Sequence, residues 1–158
     1  MRGIFPNPAQ SHLISEYAIE EYIESRIREI NDTITILKEI VSKNYSKLTE
    51  HEKLATRYLI IQLVEAASSI CPHLPLNIYN EKPEGFPECF TRLGAKGLIS
   101  EDLAAKLSSA ARLRNLIVHR YWTIKDEIVY ESVRGGLKDF EDFTLNIRSL
   151  LEKGFMIK

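Results

Sequence analysis

The sequence predicts an all-α protein, an antiparallel bundle of four long helices plus one short helix. Apolar residues recur every three or four positions over most of the chain, and no useful run alternates apolar with polar residues. Residues that cap helix N-termini, Thr49 and Ser100, precede two of the periodic segments. A chain of 158 residues is long enough to form one domain with its own core.

The N-terminal half predicts an arm and two long helices. Residues 1–12 contain two prolines and predict an irregular arm, so residues 13–158 are expected to form the single helical domain. The first helix is predicted from an apolar stripe formed by Ile23, Ile27, Ile30, Ile34, Leu37 and Val41. Thr49 and Glu52 have the spacing of a capping box at the start of the second helix. That helix is apolar almost all round, which predicts a place at the bundle centre or in a subunit interface.

Tyr22 and Tyr58 lie at helical spacing with aliphatic residues in these two helices. That spacing favours packing in the core or against a second subunit.

The C-terminal half predicts one short and two long helices. A short helix over Pro87–Leu93 is closed by Gly94 and Gly97. The next helix starts after Ser100, and its buried stripe is predicted to be Leu103, Leu107, Ala110, Leu113 and Ile117. The last helix is predicted over Asp126–Glu152, with a core face formed by Val133, Leu137, Phe140, Phe143, Ile147 and Leu150.

Composition excludes several classes of protein. The net charge of −1 gives little bulk attraction to nucleic acid, so any RNA binding requires a local basic patch. The start of the chain lacks a signal peptide, and the longest strongly apolar stretch is shorter than the roughly 20 residues that span a membrane. We therefore expect a cytoplasmic protein without membrane contact, in which Cys71 and Cys89 are reduced. The four histidines are scattered, so neither a metal site nor a cofactor is predicted.

The segment Arg112–Trp122 concentrates the chemically active side chains. Its simplest interpretation is a charged helix end, where the helix dipole favours cations. On a regular helix, Arg114 and Tyr121 share one face, and Asn115 and His119 share an adjacent one. His119 would then point about 140° away from Arg114. The two converge only if the helix loosens near His119 or if a second subunit contributes to the site.

These residue types suit metal-free cleavage of RNA by its own ribose 2′-hydroxyl. Histidine exchanges protons near neutral pH, so His119 is the candidate general acid or base. The guanidinium of Arg114 matches phosphate oxygens and stabilises charge on a phosphoryl group. Asn115 is placed to orient His119 across one turn, and Tyr121 to contact the substrate. Three further residues are candidate RNA contacts: Arg112, Arg120 and Trp122.

The pattern Arg-x4-His-x-Tyr, formed by Arg114, His119 and Tyr121, resembles the signature of the HEPN superfamily, most closely its HepT-like ribonuclease toxins. Residues 57–67, 90–99 and 114–119 are also similar to segments of that family. The resemblance implies a homodimer in which both motif copies face one cleft, with Arg114 and His119 as the catalytic residues of a metal-independent ribonuclease. It also implies an MntA-like minimal nucleotidyltransferase antitoxin, which transfers AMP to Tyr121. Arg120 departs from the pattern, because relatives commonly have an acidic residue there.

A second interpretation remains open. The chain can instead be a non-catalytic helical module that binds a nucleotidyltransferase partner or a nucleotide. Two observations favour this alternative: the net charge is low, and the sequence does not indicate a groove that binds RNA.

Overall fold

Five α-helices make up the described part of the chain. The computed structural model describes residues 8–74 and 85–154, with side chains from Tyr17 onward. The helices are α1 (Pro8–Val41), α2 (Glu50–Ser68), α3 (Phe86–Ala95), α4 (Glu101–His119) and α5 (Asp126–Glu152). Short 3₁₀ turns lie at Tyr45–Lys47, Cys71–His73 and Tyr121–Thr123, and these described ranges contain no strand. The predicted all-α fold of four long helices and one short helix is confirmed.

The first helix begins earlier than the sequence pattern predicted. It starts at Pro8, so residues 8–12 are helical where an irregular arm was expected. Proline is tolerated in the first helical turn because its fixed φ suits the helix and its missing N–H needs no partner there. Residues 1–7 lie outside the described residues, and the predicted domain boundary near residue 13 stays a prediction.

The predicted helix caps are present. Thr49 and Glu52 exchange both hydrogen bonds of a capping box, each 3.1 Å long. The ammonium of Lys43 also donates to Glu52, and this contact lowers the pKa of the Glu52 carboxyl. At the start of α4, the Ser100 hydroxyl accepts from the Leu103 N–H. After α3, Gly97 adopts a φ of 73°, a backbone conformation that favours glycine.

Helix α2 lies at the centre of the bundle and contacts each of the other four described helices. The region Glu50–His73 is long and apolar enough to cross a membrane by length and composition alone. However, 56% of its most apolar window is buried inside the bundle, which is the behaviour of a core helix. The predicted central position is therefore confirmed.

The predicted apolar stripes form most of the core, although two members of the α4 stripe, Ala110 and Leu113, are only partly buried. The entire predicted stripe of α5 is buried, as are all members of the α1 stripe except the half-buried Val41. Tyr22 and Tyr58 differ from the prediction, because their side chains are exposed by 38% and 64%. For both tyrosines, the prediction of packing in the core is wrong. Packing of these side chains against a second subunit stays a prediction.

Candidate active site

The segment singled out in the sequence spans the last two turns of α4 and the 3₁₀ turn that follows. Helix α4 runs to His119, and the Arg120 N–H still donates to the Leu116 carbonyl at 2.8 Å. The helix therefore does not loosen before His119. Arg120 then leaves helical geometry, with a φ of −140° and a ψ of 42°. Residues beyond it cannot be placed by helical spacing.

Arg114 is held in a nearly buried seat between α2, α3 and α4. Its side chain is 12% exposed, and its Nη2 donates to Glu65 Oε1 of α2 at 2.6 Å. The guanidinium carbon lies 4.4 Å from the ring centroid of Phe86 in α3, a cation–π contact. Arg114 Nε is buried and has no partner among the described residues. The guanidinium is thus fixed in direction while one of its donors is left unsatisfied.

A groove opens beside this seat. It has a volume of about 340 Å³ and lies between the end of α2 and the start of α3. Both residues that hold the arginine, Glu65 and Phe86, line this α2–α3 groove. Arg114 itself does not line the groove, so its guanidinium adjoins the groove through Glu65 and Phe86.

Asn115 supports the arginine in this structure. Its Oδ1 accepts a hydrogen bond from Arg114 Nη1 at 3.1 Å. Asn115 was expected to orient His119 across one turn, but the described residues contain no hydrogen bond between these two side chains. The difference arises because the neighbouring guanidinium, drawn to this side by Glu65, is a charged donor within reach of the amide oxygen.

His119 lies exposed at the end of α4. Within residues 8–74 and 85–154, its ring nitrogens make no hydrogen bond. Because α4 is regular up to this residue, His119 and Arg114 leave the helix about 140° apart. One subunit alone thus presents the two side chains in different directions. Arg112, seven residues earlier and also exposed, shares the side of α4 that carries His119.

Tyr121 lies beyond the helix, so the predicted shared helical face with Arg114 is wrong. It begins the 3₁₀ turn and is 62% exposed, with its ring 5.3 Å from that of Trp122 in an edge-to-face arrangement. Arg120 and Trp122 are exposed as well. Arg120 and the turn that follows it therefore present a cation, a phenol and an indole to solvent next to His119.

Arg57 is a site residue that sequence reasoning missed. From α2 it donates to Asp126 Oδ1 at 2.6 Å, to the Tyr121 carbonyl at 2.9 Å and to the Ile124 carbonyl at 2.7 Å. These bonds tie the 3₁₀ turn to α2 and to the first turn of α5. The local signal was weak, because an arginine beside an apolar run in a helix has many ordinary uses. We call these contacts the Arg57 clamp.

The two cysteines form a disulfide, with their Cα atoms 6.1 Å apart. This corrects the expectation of reduced thiols, which rested on the low cysteine number and the inferred compartment. The packing of α3 on the turn after α2 brings the two residues together. Cys89 follows Phe86 by almost one helical turn, so the bridge fixes the part of α3 that lies against Arg114.

Reduction of this disulfide is expected to lower the free energy of unfolding by about 3 kcal/mol, because the bond closes a short loop. The loop spans a sequence separation of 18 residues. Urea unfolding with and without dithiothreitol measures the change. A Cys71→Ser/Cys89→Ser double variant is the control, because its midpoint should not respond to the reductant. Equal midpoints for the wild type under both conditions would contradict the prediction.

The described residues contain no group of three or more His, Cys, Asp or Glu side chains able to hold a metal ion. The chemistry that the site can perform with its own side chains is proton transfer by His119 and charge stabilisation by Arg114.

Comparisons with known proteins identify similar sequences and folds. A protein-family model described as ribonuclease HepT-like matches residues 13–147. The tRNA nuclease HepT of Aphanizomenon flos-aquae is 26% identical over 131 residues, which cover 82% of this chain and 89% of that protein. The mRNA nuclease HepT of Shewanella oneidensis is 33% identical over 79 residues, which cover 50% and 59%. The structure of a tri-AMPylated HEPN toxin of Shewanella oneidensis in complex with MNT antitoxin has a TM-score of 0.72 and 25% identity, covering 81% of this chain and 97% of that one.

Proposed function

The chain belongs to the HepT-like ribonuclease family, and from that membership we propose that it is the RNA-cleaving toxin subunit of a toxin–antitoxin pair. It acts in the cytoplasm as a homodimer and needs no metal. The observation that carries the proposal is the seat of Arg114, whose guanidinium is held by Glu65, Asn115 and Phe86 beside an open groove. An arginine that only interacted with the helix dipole would be expected to lie exposed and without such contacts, unlike Arg114.

The proposed reaction is attack of a ribose 2′-oxygen on the adjacent phosphorus. The His119 imidazole accepts the 2′-hydroxyl proton, and an imidazolium returns a proton to the leaving 5′-oxygen. The products are a 2′,3′-cyclic phosphate and a 5′-hydroxyl. Arg114 stabilises the charge that develops on the phosphoryl oxygens, and Asn115 keeps the guanidinium in place.

Two subunits complete the proposed site. Since α4 remains helical through His119, loosening of the helix does not bring the imidazole towards Arg114. A cleft between two subunits does, because the arginine of one chain can face the histidine of the other across a twofold axis. Exposed apolar side chains near the motif, Leu116, Val118 and Trp122, support contact with another protein surface.

The partner is proposed to be an MntA-like minimal nucleotidyltransferase antitoxin that transfers AMP to Tyr121. The similar Shewanella oneidensis toxin is AMPylated and bound to an MNT antitoxin, which supports this assignment. The side chain of Tyr121 is largely exposed, and its backbone carbonyl is held by the Arg57 clamp. Such a phenol is accessible and well positioned for modification, and AMP on it would crowd the adjacent His119.

The RNA backbone is proposed to run along the exposed end of α4. Arg112 and Arg120 would contact phosphates there, and Trp122 would stack on a base. These contacts would supply the local positive patch that the net charge of −1 does not.

The test is incubation of the purified protein with total RNA in the presence of EDTA. Cleavage is expected to persist, because the proposed mechanism uses only side chains, and the cut ends should carry cyclic phosphates. Intact RNA together with tight binding to the nucleotidyltransferase would support the non-catalytic module instead. Cleavage that stops with EDTA would contradict the metal-free mechanism.

A further inference from the structure

A second groove adjoins the seat of Arg114 and has a different chemical character. It lies between α1 and α2 and has a volume of about 330 Å³, at the lower end of the range for small-ligand sites. The polar and aromatic side chains that line it are Arg26, Glu29, Tyr58, Gln62, Glu65 and Ser69. We call it the α1–α2 groove. Nothing in the proposed reaction uses it.

The α1–α2 groove and the α2–α3 groove meet at the residue that holds the arginine. Glu65 and Ser69 line both grooves, and Glu65 Oε1 accepts from Arg114 Nη2 at 2.6 Å. Its carboxylate is 48% exposed. A group seated in the α1–α2 groove would therefore lie one side chain away from the proposed phosphate-binding guanidinium.

The orientation of Gln62 makes the groove rich in hydrogen-bond acceptors. Its Nε2 donates to Thr33 Oγ1 at 2.8 Å, and the Thr33 hydroxyl donates to the Glu29 carbonyl at 2.7 Å. With its amide nitrogen engaged, Gln62 has an Oε1 without a partner among the described residues. The carboxylates of Glu29 and Glu65 add further acceptors.

Two other side chains complete the lining. Tyr58 contributes an aromatic ring that is 64% exposed, as is Leu54 one turn earlier on α2. Arg26 contributes a guanidinium that pairs with Glu29 at 2.9 Å. Its Nε is buried and makes no hydrogen bond to the part of the chain that the structure describes. The α1–α2 groove thus combines a stacking surface, several acceptors and one cation.

We propose that the α1–α2 groove is a nucleobase subsite that selects a base with an exocyclic amine, guanine above all. This inference rests on the proposed function, since it places the base next to the phosphate that Arg114 binds. Tyr58 stacks on the base, as aromatic side chains do in single-stranded RNA recognition. The ring N–H and 2-amine of guanine donate to the acceptors of the groove, and its O6 accepts from Arg26. Uracil turns two carbonyl oxygens towards the same carboxylates and is disfavoured.

Binding of non-cleavable RNA tests the subsite independently of catalysis. The probes are fluorescent hexanucleotides with 2′-O-methyl groups, because the methyl group removes the attacking hydroxyl. One probe has uridine at every position, and the other has guanosine at alternate positions. The wild type is expected to bind the guanosine probe at least about 10-fold more tightly than the uridine probe. Tyr58→Leu is expected to weaken binding of the guanosine probe by about 5-fold or more. Tyr58→Phe keeps the ring and should bind as the wild type does.

Tyr17→Leu is the matched control, because Tyr17 is an exposed tyrosine of α1 that does not line the groove. Equal affinity of the wild type for both probes, or unchanged binding by Tyr58→Leu, would overturn the subsite. If the wild type still cleaves RNA in that case, the proposed function stands without it. A Tyr58→Leu variant that binds both probes normally but no longer dimerises would assign the tyrosine to a subunit interface and would also overturn the proposal.

Discussion

Replacing His119 by alanine is expected to reduce RNA cleavage by at least about 100-fold, because the proposed mechanism loses its proton-transfer group. The side chain is exposed at the end of α4 and makes no hydrogen bond within the described residues, so its removal should leave stability unchanged. Initial rates of cleavage in EDTA give the effect. Circular dichroism and the oligomeric mass establish that the variant remains folded.

His51→Ala is the matched control. His51 is also exposed, but it lies in the first turn of α2, outside the motif. This variant should cleave RNA at the wild-type rate. Equal rates for His119→Ala and the wild type would remove His119 from the catalytic assignment.

The same variant can show which subunits build the site. In the proposed dimer, co-expression of His119→Ala with Arg114→Ala gives heterodimers in which one arginine and one histidine remain intact, on two different chains. If arginine and histidine act across the interface, these heterodimers should recover a substantial part of the activity that each variant lacks. Failure to recover any activity would favour a site within one subunit, despite the divergent directions of the two side chains.

Removing the Arg57 guanidinium is expected to affect both the stability of the fold and the modification of Tyr121. Arg57→Ala deletes an ion pair and two bonds to carbonyl groups, while the Arg57 side chain is only 16% exposed. We expect the free energy of unfolding to fall by about 2–3 kcal/mol, the usual cost of losing charged hydrogen bonds in a shielded place. Urea unfolding measures this loss.

The Arg57 clamp also holds the backbone of Tyr121, so the variant should accept AMP from the proposed nucleotidyltransferase antitoxin at least about 10-fold more slowly, since small displacements of reacting groups are costly. Mass spectrometry of the modified protein over time measures that rate. Arg57→Lys should recover only part of both properties, because an ammonium lacks the fork that reaches three acceptors.

Lys53→Ala is the control for Arg57→Ala. Lys53 lies one turn earlier on α2, and its replacement removes an ion pair with Glu50 within the helix and a cation–π contact with the Tyr45 ring, 5.1 Å away. A loss of stability for Arg57→Ala as small as that of Lys53→Ala would show that the clamp does not stabilise the turn.

Local features of the fold were predictable from the sequence. The bounds of α5, Asp126–Glu152, agree with the prediction, because a long apolar stripe and acidic residues in the first turn leave few alternatives. The capping box at Thr49 and the cap at Ser100 were also predictable, because a side-chain cap involves residues only three positions apart. The early start of α1 was not, since Pro8 is compatible with either an arm or a first helical turn.

The candidate site was only partly predictable. The residue types and spacing in Arg112–Trp122 identified the motif, and the resemblance to the HepT-like family is confirmed. The partners of those residues were not apparent, because Arg114 and Glu65 are 49 positions apart and Arg57 and Tyr121 are 64 apart. Helical spacing also misplaced Tyr121, since α4 ends before it, and it said nothing about the bond between Cys71 and Cys89.

By itself, the amino-acid sequence determined the helices, their caps and the helix that carries the motif. These features depend on residues three or four positions apart, which interact within one helix whatever the rest of the chain does. Only the tertiary structure decided that Arg114 is held by Glu65 and Phe86, that Arg57 ties down the turn of Tyr121, and that two grooves meet beside the arginine. Such contacts join distant parts of the chain, and they exist only once packing of the apolar faces has brought the helices together.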